Sequence, residues 1–154
     1  MAVFGFVLLL KIKFLMDIDK NDILKKANKS CVGSLMETLS IEFIDVGQDF
    51  IIAKMPVNKK VHQPDGVLHG GATVALAETV GSFAAHMFLD TQKYFVRGID
   101  ISAQHVKSIR SGFVYACAKF VHRGRTTQIF NINVTNEDKE LISICKLTTI
   151  TLPK

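Results

Sequence analysis

Cysteine is scarce in this chain of 154 residues: there are three, Cys31, Cys117 and Cys145, and no two of them have C-x-x-C spacing. An odd number without that spacing argues against both a disulfide framework and a cysteine-rich metal site. Intrinsic disorder and collagen-like structure are also excluded, because 48% of the residues are apolar and only 21% are charged. The composition therefore predicts a single folded domain, and free thiols fit a reducing cytoplasm best.

No apolar run is long enough to cross a bilayer. The run at residues 2–10, AVFGFVLLL, stops at Lys11, well short of the about 20 residues that a spanning helix needs. A secretory signal would carry its positive charge before the apolar run, whereas here the lysines follow it. Soluble character begins at Met16, so we treat 1–15 as a dubious apolar extension and 16–154 as the domain, with no membrane partner.

The excess of basic over acidic residues gives a net charge of +5. Such a charge suggests an anionic partner, which could be nucleic acid, an acidic surface or a small molecule that carries phosphate. The basic residues form no cluster interleaved with aromatic ones, which argues against a nucleic-acid partner.

Hydrophobic spacing predicts a short helix, a β-hairpin, a polar loop, one long helix and then four strands. The long helix is apolar nearly all round, so we expect it to be buried in the core. This order indicates an α+β domain in which an antiparallel sheet packs on the helix. The predicted ranges, in chain order, are 19–29, 40–46 with 50–56, 58–66, 69–89, and then 96–105, 113–122, 126–136 and 141–152.

Groups that can take part in a reaction lie at the start of the long helix and about two turns further along it. Gly70 and Gly71 leave the first-turn backbone unshielded, and N–H groups there lack helical partners and favour a carbonyl oxygen that gains negative charge. Glu78 follows about two turns later, and Ser82 is its i+4 neighbour, close enough to hydrogen-bond it. Each feature alone is commonly a turn or a solvated residue. Together with the loop before the helix, they indicate a site in which both groups face one small volume.

The segment from Gln63 to Ser82 resembles a known motif. It has the pattern QPxGxLHGGAxxxLAExxGS, which is similar to that of the hotdog-fold acyl-CoA thioesterases, in the group that includes phenylacetate-pathway, 4-hydroxybenzoyl-CoA and 1,4-dihydroxy-2-naphthoyl-CoA thioesterases. The stretches at 98–108 and 122–134 are similar to the family's next recognisable segments, and the resemblance extends from Met16 to Leu152. It implies a hotdog fold, an antiparallel sheet wrapped around one long central helix.

The resemblance also implies a catalytic role for five residues. Glu78 would be the catalytic carboxylate, acting either as a nucleophile on the thioester carbonyl or as the general base for a water. The amide of Gly70 would polarise the carbonyl, with His69 and Gln63 near the carbonyl or the thiolate leaving group. Ser82 would position the carboxylate or the water.

Substrate binding is implied for a further set of residues. His105 matches a family position near the pantetheine and the acyl pocket, although a strand-end histidine is an ordinary feature. Gly71 leaves the backbone open to the substrate, and Phe83 either narrows the acyl pocket or packs the helix. For the phosphates of CoA, which arginine and lysine bind well, the candidates are Lys107 and the turn with Gly124 and Arg125, followed by Arg123 and Arg110.

The implied enzyme is a homodimer or homotetramer with active sites between subunits. It needs no metal or organic cofactor, because sulfur already activates the carbonyl toward water. Two alternatives remain open: a hotdog hydratase or dehydratase, and a non-catalytic acyl-CoA-binding or regulatory module. The spacing from the Leu-His-Gly-Gly segment to Glu78 favours hydrolysis over hydration, and the presence of Glu78 itself argues against a module that only binds.

Overall fold

The computed structural model describes residues 19–87 and 89–154. The proposed extension at residues 1–15 lies outside them. In the described ranges, no helix combines the length and apolar character needed to cross a membrane.

The described chain folds into helices and strands in the predicted order, and every predicted strand is present. A short 3-10 turn, Lys59–Val61, lies in the loop before the long helix. The helices are α1 (Lys20–Cys31), α2 (Leu35–Thr38) and α3 (Gly70–His86), and the strands are β1 (Glu42–Val46), β2 (Phe50–Pro56), β3 (Tyr94–His105), β4 (Phe113–Arg123), β5 (Thr127–Thr135) and β6 (Leu141–Pro153).

Helix α1 begins where predicted because Asp19 caps it. The Asp19 carboxylate accepts a hydrogen bond of 2.9 Å from the N–H of Asn21, an arrangement that stabilises a helix by about 1 kcal/mol. The helix packs on the rest of the molecule through Ala27 and Cys31, which are buried. The four-residue α2, which Ser34 caps, was not predicted because it is too short to show a period.

All six strands form one antiparallel sheet in the order β1-β2-β4-β5-β6-β3. Strand β3 is therefore an edge strand: it pairs with β6, and no other described strand pairs with it. A bulge interrupts the β3–β6 register between Gly98 and Asp100. An edge strand of this length presents unpaired backbone groups to which another strand can add.

Helix α3 packs against the sheet and forms the centre of the core; it reaches β1 as well, through the contact of Phe83 with Phe43. Burying a side chain such as that of Leu76, which is fully buried, contributes about 1.5–3 kcal/mol. Gly81 lets helix and sheet approach closely, since a methyl group there would lie 2.5 Å from Cδ2 of Leu147. The predicted α+β architecture with a central helix is confirmed, although α3 ends at His86 rather than at residue 89.

Two of the three free cysteines lie in strands, as predicted: Cys117 in β4 and Cys145 in β6. The third, Cys31, is the last residue of α1. Burial raises the pKa of all three thiols above the ordinary cysteine value, which favours the protonated thiol at neutral pH.

Candidate active site

The first turn of α3 leaves one backbone amide without a partner in the described chain. His69 is the N-cap: its Nδ1 accepts a hydrogen bond of 2.8 Å from the N–H of Gly71. The amides of Ala72 and Thr73 donate to the His69 carbonyl oxygen, at 3.0 and 3.2 Å. The N–H of Gly70 remains available, at the positive end of a 17-residue helix.

The capping bond also fixes the hydrogen position on the His69 ring. Because Nδ1 accepts, Nε2 of the neutral imidazole carries the hydrogen. The His69 side chain is exposed, so this N–H is available to a carbonyl oxygen or a thiolate. By contrast, the Gly71 amide, predicted to lie open to a substrate, is already engaged by the cap.

His105, the last residue of β3, explains why the helix begins with glycine. A methyl group at Gly70 would lie 2.7 Å from Nε2 of His105, so any larger residue would push the imidazole or the helix end away. The two residues line a cavity of about 300 Å³, here called the amide cavity. Gln63 and Lys107 line it as well, so four of the predicted site residues are brought together.

The loop that carries Gln63 is held by Arg110. The guanidinium of Arg110 donates to the carbonyl oxygens of Asp65 and Gly66, at 2.9 and 3.2 Å. The backbone carbonyl oxygen of Arg110 lies 2.9 Å from Nε2 of His62. Arg110 was a candidate for binding CoA phosphates. Its side chain instead holds this loop, so the contacts favour a structural role.

Glu78 lines a second and larger cavity of about 620 Å³, here called the carboxylate cavity. Ser82 and Phe83 line it too, and the Phe83 ring packs on Phe43 with ring centroids 4.7 Å apart. Phe83 therefore both lines this cavity and packs α3 against β1, and its predicted narrowing of an acyl pocket stays a prediction. Gly98 of β3 lies beside the carboxylate, because a methyl group there would be 2.7 Å from Oε1 of Glu78.

The expected hydrogen bond between Ser82 and Glu78 is not formed. Within residues 19–87 and 89–154, neither side chain has a hydrogen-bond partner, and both are partly exposed to the cavity. The i+4 spacing places the two side chains on one side of α3, but spacing alone does not fix their rotamers. Both groups remain free to bind a water or a substrate.

One chain does not bring Gly70 and Glu78 to a single small volume. They line different cavities, and eight residues of α-helix separate them by about 12 Å along the axis. A carbonyl group that contacts the amide is therefore out of reach of the carboxylate of the same chain.

The basic residues predicted to bind the CoA phosphates also lie apart from one another. Nζ of Lys107 is 2.6 Å from Oε1 of Glu140, and this pairing holds the pKa of the Glu140 carboxyl below its usual range. Arg125 is exposed in the β4–β5 turn. Lys107 follows the end of β3 that pairs with Ser143, whereas the turn lies at the opposite end of the sheet, near the pair of Thr127 and Ile150.

The turn itself uses the backbone of Gly124. The Gly124 N–H donates to the Thr127 carbonyl oxygen at 3.0 Å, and the Gly124 carbonyl oxygen accepts from Nε2 of Gln128 at 3.2 Å. A side chain would not fit, because a methyl group would lie 2.8 Å from the Thr127 oxygen. Gly124 thus shapes the turn that presents Arg125.

Sequence reasoning missed Gly98 and gave His86 no role. A glycine inside a strand pattern often marks a close approach to another group; that signal marks Gly98 as a point of close approach but does not show that its neighbour is Glu78. His86 stands four residues after Ser82 and lines the carboxylate cavity. In the described part of the chain, no three His, Cys, Asp or Glu side chains are grouped so as to hold a metal ion.

Comparison with known proteins gives consistent results. The profile of the thioesterase superfamily matches residues 65–143. The 1,4-dihydroxy-2-naphthoyl-CoA hydrolase of Escherichia coli is 37% identical over 129 residues, which cover 84% of this chain and 94% of that protein. The proofreading thioesterase EntH of Cronobacter turicensis is 38% identical over 126 residues, covering 82% of this chain and 91% of that protein.

A solved structure agrees with these sequence matches. A mutant of thioesterase PA1618 from Pseudomonas aeruginosa superimposes with a TM-score of 0.84 at 37% identity, covering 85% of this chain and 94% of that one. The match therefore extends over nearly the whole of that chain.

Proposed function

The chain belongs to the thioesterase superfamily, and from that premise we propose that it hydrolyses an acyl- or aroyl-CoA thioester to the free acid and CoA in the cytoplasm. One observation carries the proposal: the Gly70 amide and the Glu78 carboxylate of α3 have no hydrogen-bond partner among the described residues, and each lines a cavity. Hydrolysis of a thioester needs a donor for the developing oxyanion and a base or nucleophile for the carbonyl carbon. The naphthoyl-CoA hydrolase among the relatives supports an aromatic acyl group.

The geometry favours a two-fold homodimer in which each site combines groups from both subunits. Gly98, beside Glu78, lies in one half of edge strand β3, and His105, against Gly70, ends the other half. If the β3 strands of two copies pair in antiparallel fashion, each half meets the opposite half of the partner, as an isologous interface requires. Ile99, on this edge, is a large apolar residue with 57% exposure, which such pairing would cover.

In that dimer, Glu78 of one subunit works with the partner subunit's Gly70. The Gly70 amide polarises the thioester carbonyl, and Nε2–H of His69 and the Gln63 amide serve the carbonyl oxygen or the leaving sulfur. In the general-base route, Glu78 takes a proton from water as the oxygen adds to the carbonyl carbon; the C–S bond then breaks and the thiolate is protonated. In the nucleophilic route, a carboxylate oxygen adds instead, and water then hydrolyses the resulting anhydride.

The same pairing brings the basic residues proposed to bind the CoA phosphates to one site. The turn with Arg125 lies at the Gly98 end of the sheet and Lys107 at the His105 end, so antiparallel β3 strands place Lys107 near the partner subunit's Arg125. The phosphates of one CoA then contact both subunits. The reaction needs no metal or organic cofactor, because the thioester is already an activated acyl group.

Thiol release from benzoyl-, hydroxybenzoyl-, naphthoyl- and aliphatic CoA thioesters tests the proposal. The wild type should turn over at least one of them, and Glu78→Gln, which keeps the size but removes the charge, should lower kcat by about 100-fold or more. Glu42→Gln is the matched control, since Glu42 is an exposed residue of β1 that pairs with Lys54. The kcat of this variant should stay within about two-fold of that of the wild type.

Three results would contradict the proposal in whole or in part. A wild type that binds CoA thioesters without hydrolysing any of them is a binding module. Hydration of an unsaturated acyl-CoA without thiol release identifies a hydratase. Retention of most activity in Glu78→Gln would remove that residue from the mechanism.

A further inference from the structure

Three polar side chains follow one another at four-residue intervals along α3 and line the carboxylate cavity. They are Glu78, Ser82 and His86, and i,i+4 neighbours lie on the same side of a helix. Much of the surrounding wall is apolar and includes Met36 and Phe43. A polar group in an apolar pocket fixes the orientation of a ligand and provides specificity.

The orientation of the His86 ring is fixed by its own helix. Nδ1 of His86 lies 2.8 Å from the carbonyl oxygen of Ser82. A carbonyl oxygen only accepts, so Nδ1 carries the hydrogen, and Nε2 of the neutral ring is an acceptor. Nε2 has no hydrogen-bond partner among the described residues, and the ring borders the cavity. The His86 ring thus presents to the cavity an acceptor of defined orientation.

The distance from Glu78 to His86 defines what can reach that acceptor. Eight helical residues span about 12 Å. An acyl group whose carbonyl carbon contacts Glu78, and which carries a hydroxyl about 6 Å further along, covers nearly the same span once the contact and the hydrogen bond are included. A phenol with its hydroxyl para to the thioester carbonyl has these dimensions.

We infer that His86 is a specificity-determining residue whose Nε2 accepts a hydrogen bond from a hydroxyl at the far end of the acyl group. The inference rests on the proposed function, since it takes Glu78 as the reacting carboxylate. The preferred substrates are then aroyl thioesters with a distal hydroxyl. A site that offers such an acceptor discriminates against an analogue without the donor, because the acceptor is left unpaired.

The test is the ratio of kcat/KM for 4-hydroxybenzoyl-CoA to that for benzoyl-CoA. The wild type should prefer the hydroxylated thioester by about ten-fold or more. His86→Leu should bring the ratio to about one while still hydrolysing benzoyl-CoA. His86→Gln, which offers an amide oxygen, should keep part of the preference. His122→Leu is the control, because His122 lies in β4 and does not line this cavity, and it should leave the ratio unchanged.

Failure of the inference is distinguishable from failure of the proposed function. Hydrolysis of both thioesters that depends on Glu78, with the same ratio in wild type and His86→Leu, overturns the inference alone. If no thioester is hydrolysed, the proposed function fails. The inference is then tested by measuring the binding of 4-hydroxybenzoate and of benzoate to the wild type by calorimetry, and equal affinities overturn it. Far-UV circular dichroism shows whether the His86→Leu variant is folded. If that variant does not fold, His86→Gln takes its place in the test.

Discussion

Gly98 lies directly against the carboxylate of Glu78: a methyl group on Gly98 would be 2.7 Å from Oε1. The two residues are 20 positions apart in the chain, one in an edge strand and the other in the central helix. Because Gly98 has no side chain, the Glu78 carboxylate can occupy the space beside it. Because the conflicting atom is the end of a flexible side chain, a larger residue would move the carboxylate rather than disrupt the core.

We expect Gly98→Ala to lower activity far more than stability. Displacing a reacting group by about 1 Å costs on the order of 100-fold in rate, so kcat should fall by about 10- to 100-fold. The melting temperature should change by no more than a few degrees. Steady-state thiol release and thermal unfolding followed by circular dichroism measure the two effects on the same sample. Unchanged kcat would show that the position of Glu78 does not depend on this contact.

Gly81→Ala is the matched glycine variant and should show the opposite pattern. Its methyl group would meet Cδ2 of Leu147 at 2.5 Å and Cδ1 of Ile132 at 3.0 Å, both in the packed core. Overpacking of this kind destabilises proteins by about 1–3 kcal/mol. Thermal unfolding should therefore shift clearly, and kcat of the folded fraction should fall less than in Gly98→Ala.

Features formed by residues close together in the chain can be predicted from this sequence, whereas contacts between residues far apart in the chain cannot. The long helix was predictable because its apolar residues leave no face suited to water, and the capping of α1 by Asp19 was predictable from residue type. The close contact of Gly98 with Glu78 was not, because it joins elements that are neighbours only after the sheet has formed. The role of Arg110 was missed for the same reason: its acceptors are backbone atoms some 45 positions away.

The raised pKa values of the three thiols predict a dependence of stability on pH. The folded protein keeps the protons of Cys31, Cys117 and Cys145 at a pH where the unfolded chain begins to lose them. Their contribution to stability is complete below the ordinary thiol pKa of about 8.5 and is lost as the pH rises above it. Urea unfolding between neutral and alkaline pH should show this decline, and Cys145→Ala should show a shallower one. Equal slopes in both proteins would contradict the assignment.

Lys107→Ala should weaken substrate binding without changing the chemical step. Removing one phosphate contact at an exposed position should raise KM for CoA thioesters by about three- to ten-fold, with kcat unchanged, and added salt should reduce the difference. Glu140→Gln should lower KM, because Lys107 then loses its carboxylate partner. Lys119→Ala is the control, since this exposed lysine in β4 lines neither cavity. A matching rise in KM for Lys119→Ala would indicate a general charge effect.

Sites shared between subunits predict that two inactive variants restore activity when mixed. Glu78→Ala removes the carboxylate, and Gly70→Ala displaces the amide from its position against His105, so each homodimer should be nearly inactive. In a mixed dimer, one site contains both substitutions and the other contains neither. Random exchange of subunits should therefore restore about one quarter of wild-type activity. Denaturing and refolding the two variants together, followed by thiol release, measures this. A mixture no more active than its components would place Glu78 and Gly70 of the same chain in each site, or leave one of them outside the mechanism.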